Sequence, residues 1–298
     1  MSDSAIHAVA GAAGGIVAMT ATYPLIFLST RAAVETKKEP KACAFIEGNI
    51  QESYLCGLDS SLLGIAVTNG VYYYFYERTR EVLLRSKGSK ALSTLESMLT
   101  GLIAGSATTL ISNPIWVVQT SQATRGMGAG ETVQKKLGFF ESAQNIIAKG
   151  GIGALWRGIG PALVLVMNPI IQYTAFEQLK NFLITRRTTK LRAAGGKGVA
   201  ILSDWDFFVL GAISKLVATS FTYPYIVVKS RLQAGNMKYK SSLDGLLTII
   251  KEEGVEGLYK GIGSKIVQSV LTAAILFAGQ RRIFEATKAA VSPLVAAK

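Results

Sequence analysis

Tyr223-Pro224-Tyr225-Ile226-Val227-Val228-Lys229-Ser230-Arg231-Leu232-Gln233 sets a proline inside an apolar, helix-compatible run, with bases five and seven positions further on. Two earlier stretches echo it: Tyr23-Pro24-Leu25-Ile26-Phe27-Leu28-Ser29-Thr30-Arg31 and Asn113-Pro114-Ile115-Trp116-Val117-Val118-Gln119-Thr120-Ser121. The three prolines lie 90 and 110 residues apart. Self-similarity at such a period means three copies of one unit. A second echo supports the first. Leu155-Trp156-Arg157-Gly158-Ile159-Gly160 returns as Leu258-Tyr259-Lys260-Gly261-Ile262-Gly263, and a worn copy, Tyr54-Leu55-Cys56-Gly57-Leu58-Asp59, holds the matching place in the first third. Each unit reads as a helix with proline, a loop, a short segment, a glycine and a second helix.

The 298 residues are 49% hydrophobic and only 17% charged, with a mean hydropathy of +0.33. That is too apolar for an ordinary soluble domain and suits an integral membrane protein. The net charge of +13 would suggest nucleic acid in a soluble chain. Here the bases sit in loops and at helix ends, so the expected partners are membrane lipid and an anionic solute, with no nucleic acid. Cys43 and Cys56 have no metal-ligand spacing and read as free thiols, and His7 is the only histidine. No metal and no resident cofactor is expected. A hydrolase would need a nucleophile with a base, or a metal cluster, and neither is visible, so the chain is not read as an enzyme. Met1-Ser2-Asp3-Ser4-Ala5 has no basic region, and no cleaved targeting peptide is expected.

The apolar runs predict six spans, at 5–33, 57–84, 92–122, 158–184, 205–233 and 261–286. Each is long enough to cross a hydrocarbon layer of about 30 Å. Short amphipathic helices at 139–148 and 243–251 are placed on the membrane surface, and 186–197 reads as a basic linker. The predicted fold is an all-α membrane protein. Its six transmembrane helices form three pseudo-threefold repeats, with short surface helices between the helices of each repeat. Residues 1–298 make one domain, with repeats at 1–88, 89–197 and 198–298. Pro24, Pro114 and Pro224 each remove a helix hydrogen bond and kink an odd-numbered span, which suggests a central funnel.

On the fifth span Lys215, Thr219, Thr222, Ile226 and Lys229 share one helical face. A lysine in mid-span is costly unless it meets water or a partner, and by default it marks function; snorkelling to the interface is the alternative. The matching faces are Gly15, Met19, Thr22, Ile26 and Ser29 in the first span and Gly105, Thr109, Ser112, Trp116 and Gln119 in the third. In the sixth, Lys265, Gln268 and Thr272 line up. In the second, Asn69, Tyr73, Glu77 and Arg80 do; in the fourth, Pro169, Tyr173, Glu177 and Lys180 do, beside Asn168 and Gln172. Lys215 and Lys265 could pair with phosphates while tyrosines pack on a base. Asn69, Asn168 and Gln172 read equally well as hydrogen bonds between helices. Residue chemistry alone reaches an anionic solute of moderate size.

The proline stretches resemble the mitochondrial carrier family, whose repeated signature is Pro-x-Asp/Glu-x-x-Lys/Arg-x-Lys/Arg, and the resemblance covers nearly the whole chain. It implies alternating access, closed on the signature side by ion pairs. Here the acid is replaced by Ile26, Trp116 and Ile226, and the base position holds Ser29, Gln119 and Lys229, so a mostly apolar and polar gate is expected. At the other mouth Tyr76-Glu77-Arg78-Thr79-Arg80 and Phe176-Glu177-Gln178-Leu179-Lys180 fit the family's aromatic-acid-x-x-base pattern, with Arg281 a possible third partner.

The segments Asn113–Val118, Asn168–Tyr173, Gly211–Thr219 and Lys265–Ala274 are similar to the peroxisomal subgroup of that family. This implies a peroxisomal membrane antiporter, acting as a monomer, that exchanges ATP for AMP or ADP. Carriage of coenzyme A, FAD or NAD is the alternative, as is a mitochondrial inner-membrane nucleotide or cofactor carrier. A proton-coupled carrier or uniporter is a further possibility. The basic linker is expected to meet lipid heads or, alternatively, peroxisomal import factors.

Overall fold

The computed structural model describes residues 3–35, 57–88, 91–125, 137–195, 198–235, 239 and 241–272, with side chains from residue 16 onward. Its α-helices are α1 (Asp3–Val34), α2 (Leu58–Lys87), α3 (Thr94–Ala123), α4 (Phe139–Gly150), α5 (Ile159–Leu165), α6 (Asn168–Ala193), α7 (Asp204–Ala234) and α8 (Ser242–Glu253). Residues 262–272 open a further helix, α9. Four stretches among the described residues are long and apolar enough to cross a membrane. Leu95, Leu99 and Ile103 form an exposed apolar stripe at helical spacing on α3, as a lipid-facing side requires.

The same local devices start successive repeats. Ser93 caps α3 by accepting from Glu96 N, while Glu96 accepts from Ser93 N at 2.8 Å. Ser203 and Asp206 repeat this capping box on α7. Each capping acid also meets a base from the end of the preceding helix. Glu96 pairs with Lys87, and Asp206 takes a two-pronged contact from Arg187 at 2.6 Å on each arm.

α1, α3 and α7 each run through their proline without interruption. A proline cannot donate to the carbonyl four residues back. For Pro114 that carbonyl belongs to Leu110, and it accepts instead from Trp156 Nε1 at 3.0 Å. The tryptophan of the second motif thus repairs the ladder broken by the first.

The fourth span differs from the expected single helix. It breaks at Val166 and Met167 into α5 and α6. Pro169 lies in the first turn of α6, and the amides of Val166 and Met167 turn to the tighter bonds on Leu163 O and Val164 O. The expected linker at 186–197 is also corrected, because α6 continues to Ala193 and places Arg186 to Arg192 on helix. Arg187 is held by Asp206, which leaves Arg186, Lys190 and Arg192 as the bases facing outward contacts.

The three glycines of the second motif show why the units repeat. Gly57, Gly158 and Gly261 have φ of 86°, 74° and 80°, a left-handed backbone that side chains resist. A Cβ on Gly57 would lie 3.5 Å from Gln119 O; on Gly158, 3.1 Å from Lys229 O; on Gly261, 2.9 Å from Ser29 O. Ser29, Gln119 and Lys229 are the equivalent positions of the three proline stretches. Each repeat therefore docks its glycine on the next repeat's proline helix, and the third returns to the first. The residue before each later proline ties its own unit shut: Asn113 Nδ2 donates to Leu155 O at 3.0 Å and Arg157 O at 3.3 Å, and Tyr223 Oη donates to Lys260 O at 2.8 Å. The buried apolar cores lie at this same end, around Tyr223, Val227, Val228, Ile249 and Leu258, and around Tyr23, Phe27 and Ala123.

Candidate transport site and gates

Between α2, α3, α5 and α6 lies a cavity of about 750 Å³. Small residues open it: Gly101, Gly105, Thr109 and Ser112 on α3 leave room that larger side chains would fill. Trp116, Tyr72, Tyr76 and Tyr173 supply aromatic wall, and Lys229 lines it from α7. Trp116 is fixed by its Nε1 donating to Thr68 Oγ1 at 3.1 Å.

Lys215 reaches Asn168 Oδ1 at 3.5 Å, and Asn168 in turn donates to Thr222 Oγ1 at 2.7 Å. Asn168 thus bonds helix to helix and also faces the lysine. Lys265 lies within electrostatic reach of both Lys215 and Lys229. Lys215 and Lys229 lie fourteen residues apart on one face of α7, about 21 Å along its axis, and Lys265 of α9 interacts with both. Like charges in a region of low dielectric repel strongly unless an anion joins them. Gln268 Nε2 donates to Thr272 Oγ1 at 3.0 Å, and Thr272 meets Thr22 at 3.2 Å, which ties α9 to α1. The Oε1 of Gln268 is buried and has no partner among the described residues. Thr219 is buried on the same face of α7.

Other sequence candidates sit elsewhere. Asn69 is exposed, Tyr73 and Gln172 are half-buried, and none of the three lines the cavity; nor do Lys215, Lys265, Gln268, Asn168 or Thr219, so among the described residues its only wall residue from the expected lysines, amides and ion-pair groups is Lys229. The wall from α2 comes from Thr68, Tyr72 and Tyr76, one step round the helix. Gly101 opposite Tyr72 was the available signal, since a Cβ there would lie 3.6 Å from the Tyr72 hydroxyl.

At the signature end Gln119 is buried and shares a 3.4 Å contact with Thr120, and Thr120 Oγ1 donates to Gln233 Oε1 at 3.1 Å. No carboxylate among the described residues pairs with Lys229. At the opposite mouth Glu77 pairs with Arg80 at 3.6 Å and Glu177 with Lys180 at 2.6 Å, each within one helix. Arg281 lies outside the described residues. The proline helices meet and bury side chains at the signature end, while the charges at the other mouth stay part-exposed. Among the described residues, packing is tighter at the signature end than at the other mouth, as a conformation closed at the signature end would require.

One cluster carried no role in the sequence reading. Arg231 and Glu253, whose side chains are 1% and 3% exposed, form a two-pronged pair at 2.5 and 3.0 Å. Lys260 joins Glu253 at 2.9 Å. Arg231 Nε also donates to Ala33 O, and both bases reach Glu35 O, so the cluster fastens α7 and α8 to the end of α1. Glu253 lies beyond the spans. Burial alone would raise its pKa, but hydrogen bonds from Arg231 and Lys260 and the charges of both hold it below the ordinary 4.5. A carboxylate at a helix C-terminus opposes the helix dipole, and that oddity was the signal for a partner.

Long apolar helices with half-buried lysines, one of them lining a cavity, fit a multi-pass membrane carrier of solutes. The family profile for mitochondrial carrier proteins matches residues 90–187 and 202–291. The chain is 36% identical to the peroxisomal nicotinamide adenine dinucleotide carrier of Arabidopsis thaliana, over 98% of each protein. It is 33% identical to the mouse peroxisomal membrane protein PMP34, over 96% of this chain and 94% of the relative. It is 32% identical to the peroxisomal membrane protein PMP47B of Candida boidinii, over 92% of this chain and 84% of the relative. The chain belongs to the mitochondrial carrier family, within its peroxisomal membrane carriers.

Proposed function

We propose that this carrier exchanges an adenine-containing, phosphate-bearing anion across the peroxisomal membrane, with ATP against AMP or ADP as the first reading. The observation that carries it is the row of bases along one face of α7, with Lys229 lining a cavity walled by Tyr72, Tyr76, Tyr173 and Trp116 and Lys215 further along that face, while Lys265 of α9 lies within electrostatic reach of both. Phosphates match the cations, and a planar base matches the aromatic wall. NAD is the second reading, favoured by the likeness to the plant NAD carrier over almost the full length of both chains. The proposed unit is one domain of three repeats, 1–88, 89–197 and 198–298, working as a monomer by alternating access.

Liposomes containing the pure protein and loaded in turn with ATP, AMP, coenzyme A, NAD and FAD test this. Faster exchange of ATP with AMP than of NAD is the expected result. Uptake of NAD alone replaces the first reading with the second, and uptake of none overturns both. Lys215→Ala or Lys265→Ala is expected to weaken nucleotide affinity about tenfold to a hundredfold, as the loss of one bond to a charged group predicts, about 1.5–3 kcal/mol. Unchanged transport in both variants rejects the site.

A further inference from the structure

The second and third repeats can be overlaid residue by residue at the signature end. Leu155-Trp156-Arg157-Gly158 over Leu258-Tyr259-Lys260-Gly261 sets Arg157 against Lys260, Ala154 against Gly257, and Gly150 against Glu253. The backbone agrees, since Gly151 and Gly254, the next residues, have φ of 72° and 77° with ψ near 180° in both. The proline stretches set Ser121 against Arg231. Both members of the buried pair are therefore missing from the second repeat, while the base that flanks it remains.

A polar crevice of about 190 Å³ lies where the pair would be, lined in part by Ser121, Gln122, Ser142, Lys149 and Arg157. Among the described residues no Asp or Glu lines it. Among the described residues Arg157 has no carboxylate within ion-pair distance. Its guanidinium lies against the end of α4 and the end of α7. A Cβ on Gly150 would sit 2.5 Å from Nη2, and one on Gly235 would sit 2.9 Å from Nη1. In the third repeat the carboxylate occupies the room that Gly257 leaves, for a Cβ on Gly257 would meet Glu253 Cβ at 2.7 Å. In the second repeat the small and large members are exchanged, for a Cβ on Gly150 would meet Ala154 Cβ at 2.9 Å.

We propose that the crevice is a second anion site, separate from the transport cavity, where a phosphate- or carboxylate-bearing ligand binds Arg157 and Lys149 in the place that Glu253 fills in the third repeat. Because the crevice is shared by the ends of α3, α4 and α7, its occupant joins the second repeat to the third. It therefore stabilises the conformation closed at the signature end, in which those ends are adjacent.

The test uses the full chain. Its thermal unfolding is followed in neutral detergent with inorganic phosphate against chloride at matched ionic strength, and in phosphatidylcholine discs with and without phosphatidylglycerol. A saturable rise of about 2–4 °C at tenfold excess over Kd is expected. A rise with phosphate in neutral detergent identifies a free anion as the occupant, and a rise only with the anionic lipid identifies a headgroup. Arg157→Gln should abolish the rise. So should the double variant Gly150→Glu with Ala154→Gly, which supplies the missing carboxylate and the room for it, and which decides the matter should Arg157→Gln fail to fold. Lys215→Ala should keep the rise, which separates this site from the transport site. No rise from either source, or a rise that survives in the double variant, overturns the proposal.

Discussion

In the third repeat Arg231 and Glu253 meet two-pronged at the end of the proline helix, out of water, with Lys260 completing the cluster. In the second repeat the same corner is held by neutral groups. Gln122 accepts from Ser60 Oγ at 2.5 Å and donates to Leu137 O and Ser142 Oγ, while Gln233 donates to Asn113 Oδ1 at 3.2 Å. One corner is clamped by charge and the other by amides. A buried ion pair stabilises little against an apolar replacement, yet removing one partner is severe. The second repeat has in effect lost both partners together, the change that costs least.

The largest effect is expected from breaking the charged corner on one side only. Glu253→Gln leaves Arg231 and Lys260 without their carboxylate and should cost about 3–5 kcal/mol, read from unfolding in detergent. Replacing Arg231 and Glu253 together by Met should cost far less than the sum of the single variants. Additive losses would show that the pair is not a unit. The same corner sets an acid limit. Glu253 titrates below 4.5 in the folded chain, so the unfolded chain binds the extra proton first. Its contribution is complete above about pH 4.5 and fades as pH falls through the depressed folded value. Stability measured down to that range should lose this slope in Glu253→Gln.

A middle-sized effect is expected at the neutral corner. Gln122→Ala strands Ser60 and Ser142 in a buried place and should cost about 1–3 kcal/mol. No acid-dependent slope should be lost with it. A pH-dependent loss there would mean that the two corners do not differ in kind.

The comparison also shows what a sequence carries and what it hides. The repeat, the prolines and the glycines were legible because backbone demands recur at fixed offsets. Gly57, Gly158 and Gly261 must turn left-handed against a neighbouring carbonyl, and no side chain substitutes for that. The fourth span misled because Pro169 sits in the first turn of a helix, where proline is at home, yet the apolar run continues across the break. Lys215 and Lys265 stood out by their depth in apolar runs. The α2 wall of Thr68, Tyr72 and Tyr76 was missed by one residue, since a helix face read from sequence needs a fixed direction. The string of five aromatics at 72–76 offers several. Glu253 was missed because its partners come from 22 residues before it in Arg231 and from the end of α1.

The smallest effect is expected at the two gates, where the difference between the ends of the carrier is one of free-energy balance. At the signature end the chain has Ile26, Trp116 and Ile226 where acids would stand, so Lys229 has no signature ion pair. At the other mouth Glu77 and Glu177 hold bases within their own helices, and under the proposed alternating access these pairs would be exchanged for contacts between helices on closing. Part-exposed pairs are worth about 0–1 kcal/mol each, and only the difference between the two arrangements counts. Glu77→Gln with Glu177→Gln should therefore shift the empty carrier away from closure at their mouth by less than about tenfold, the equivalent of 1.4 kcal/mol. Ile26→Asp with Ile226→Glu should shift it toward closure at the signature end by supplying Lys229 with a partner. Cysteines placed at each mouth, in a background lacking Cys43 and Cys56, report which face is open by their rate of modification. Equal rates in all three proteins would mean that the charges at 77, 80, 177 and 180 only solvate helix ends, and that the apolar packing at the signature end alone sets which face is open.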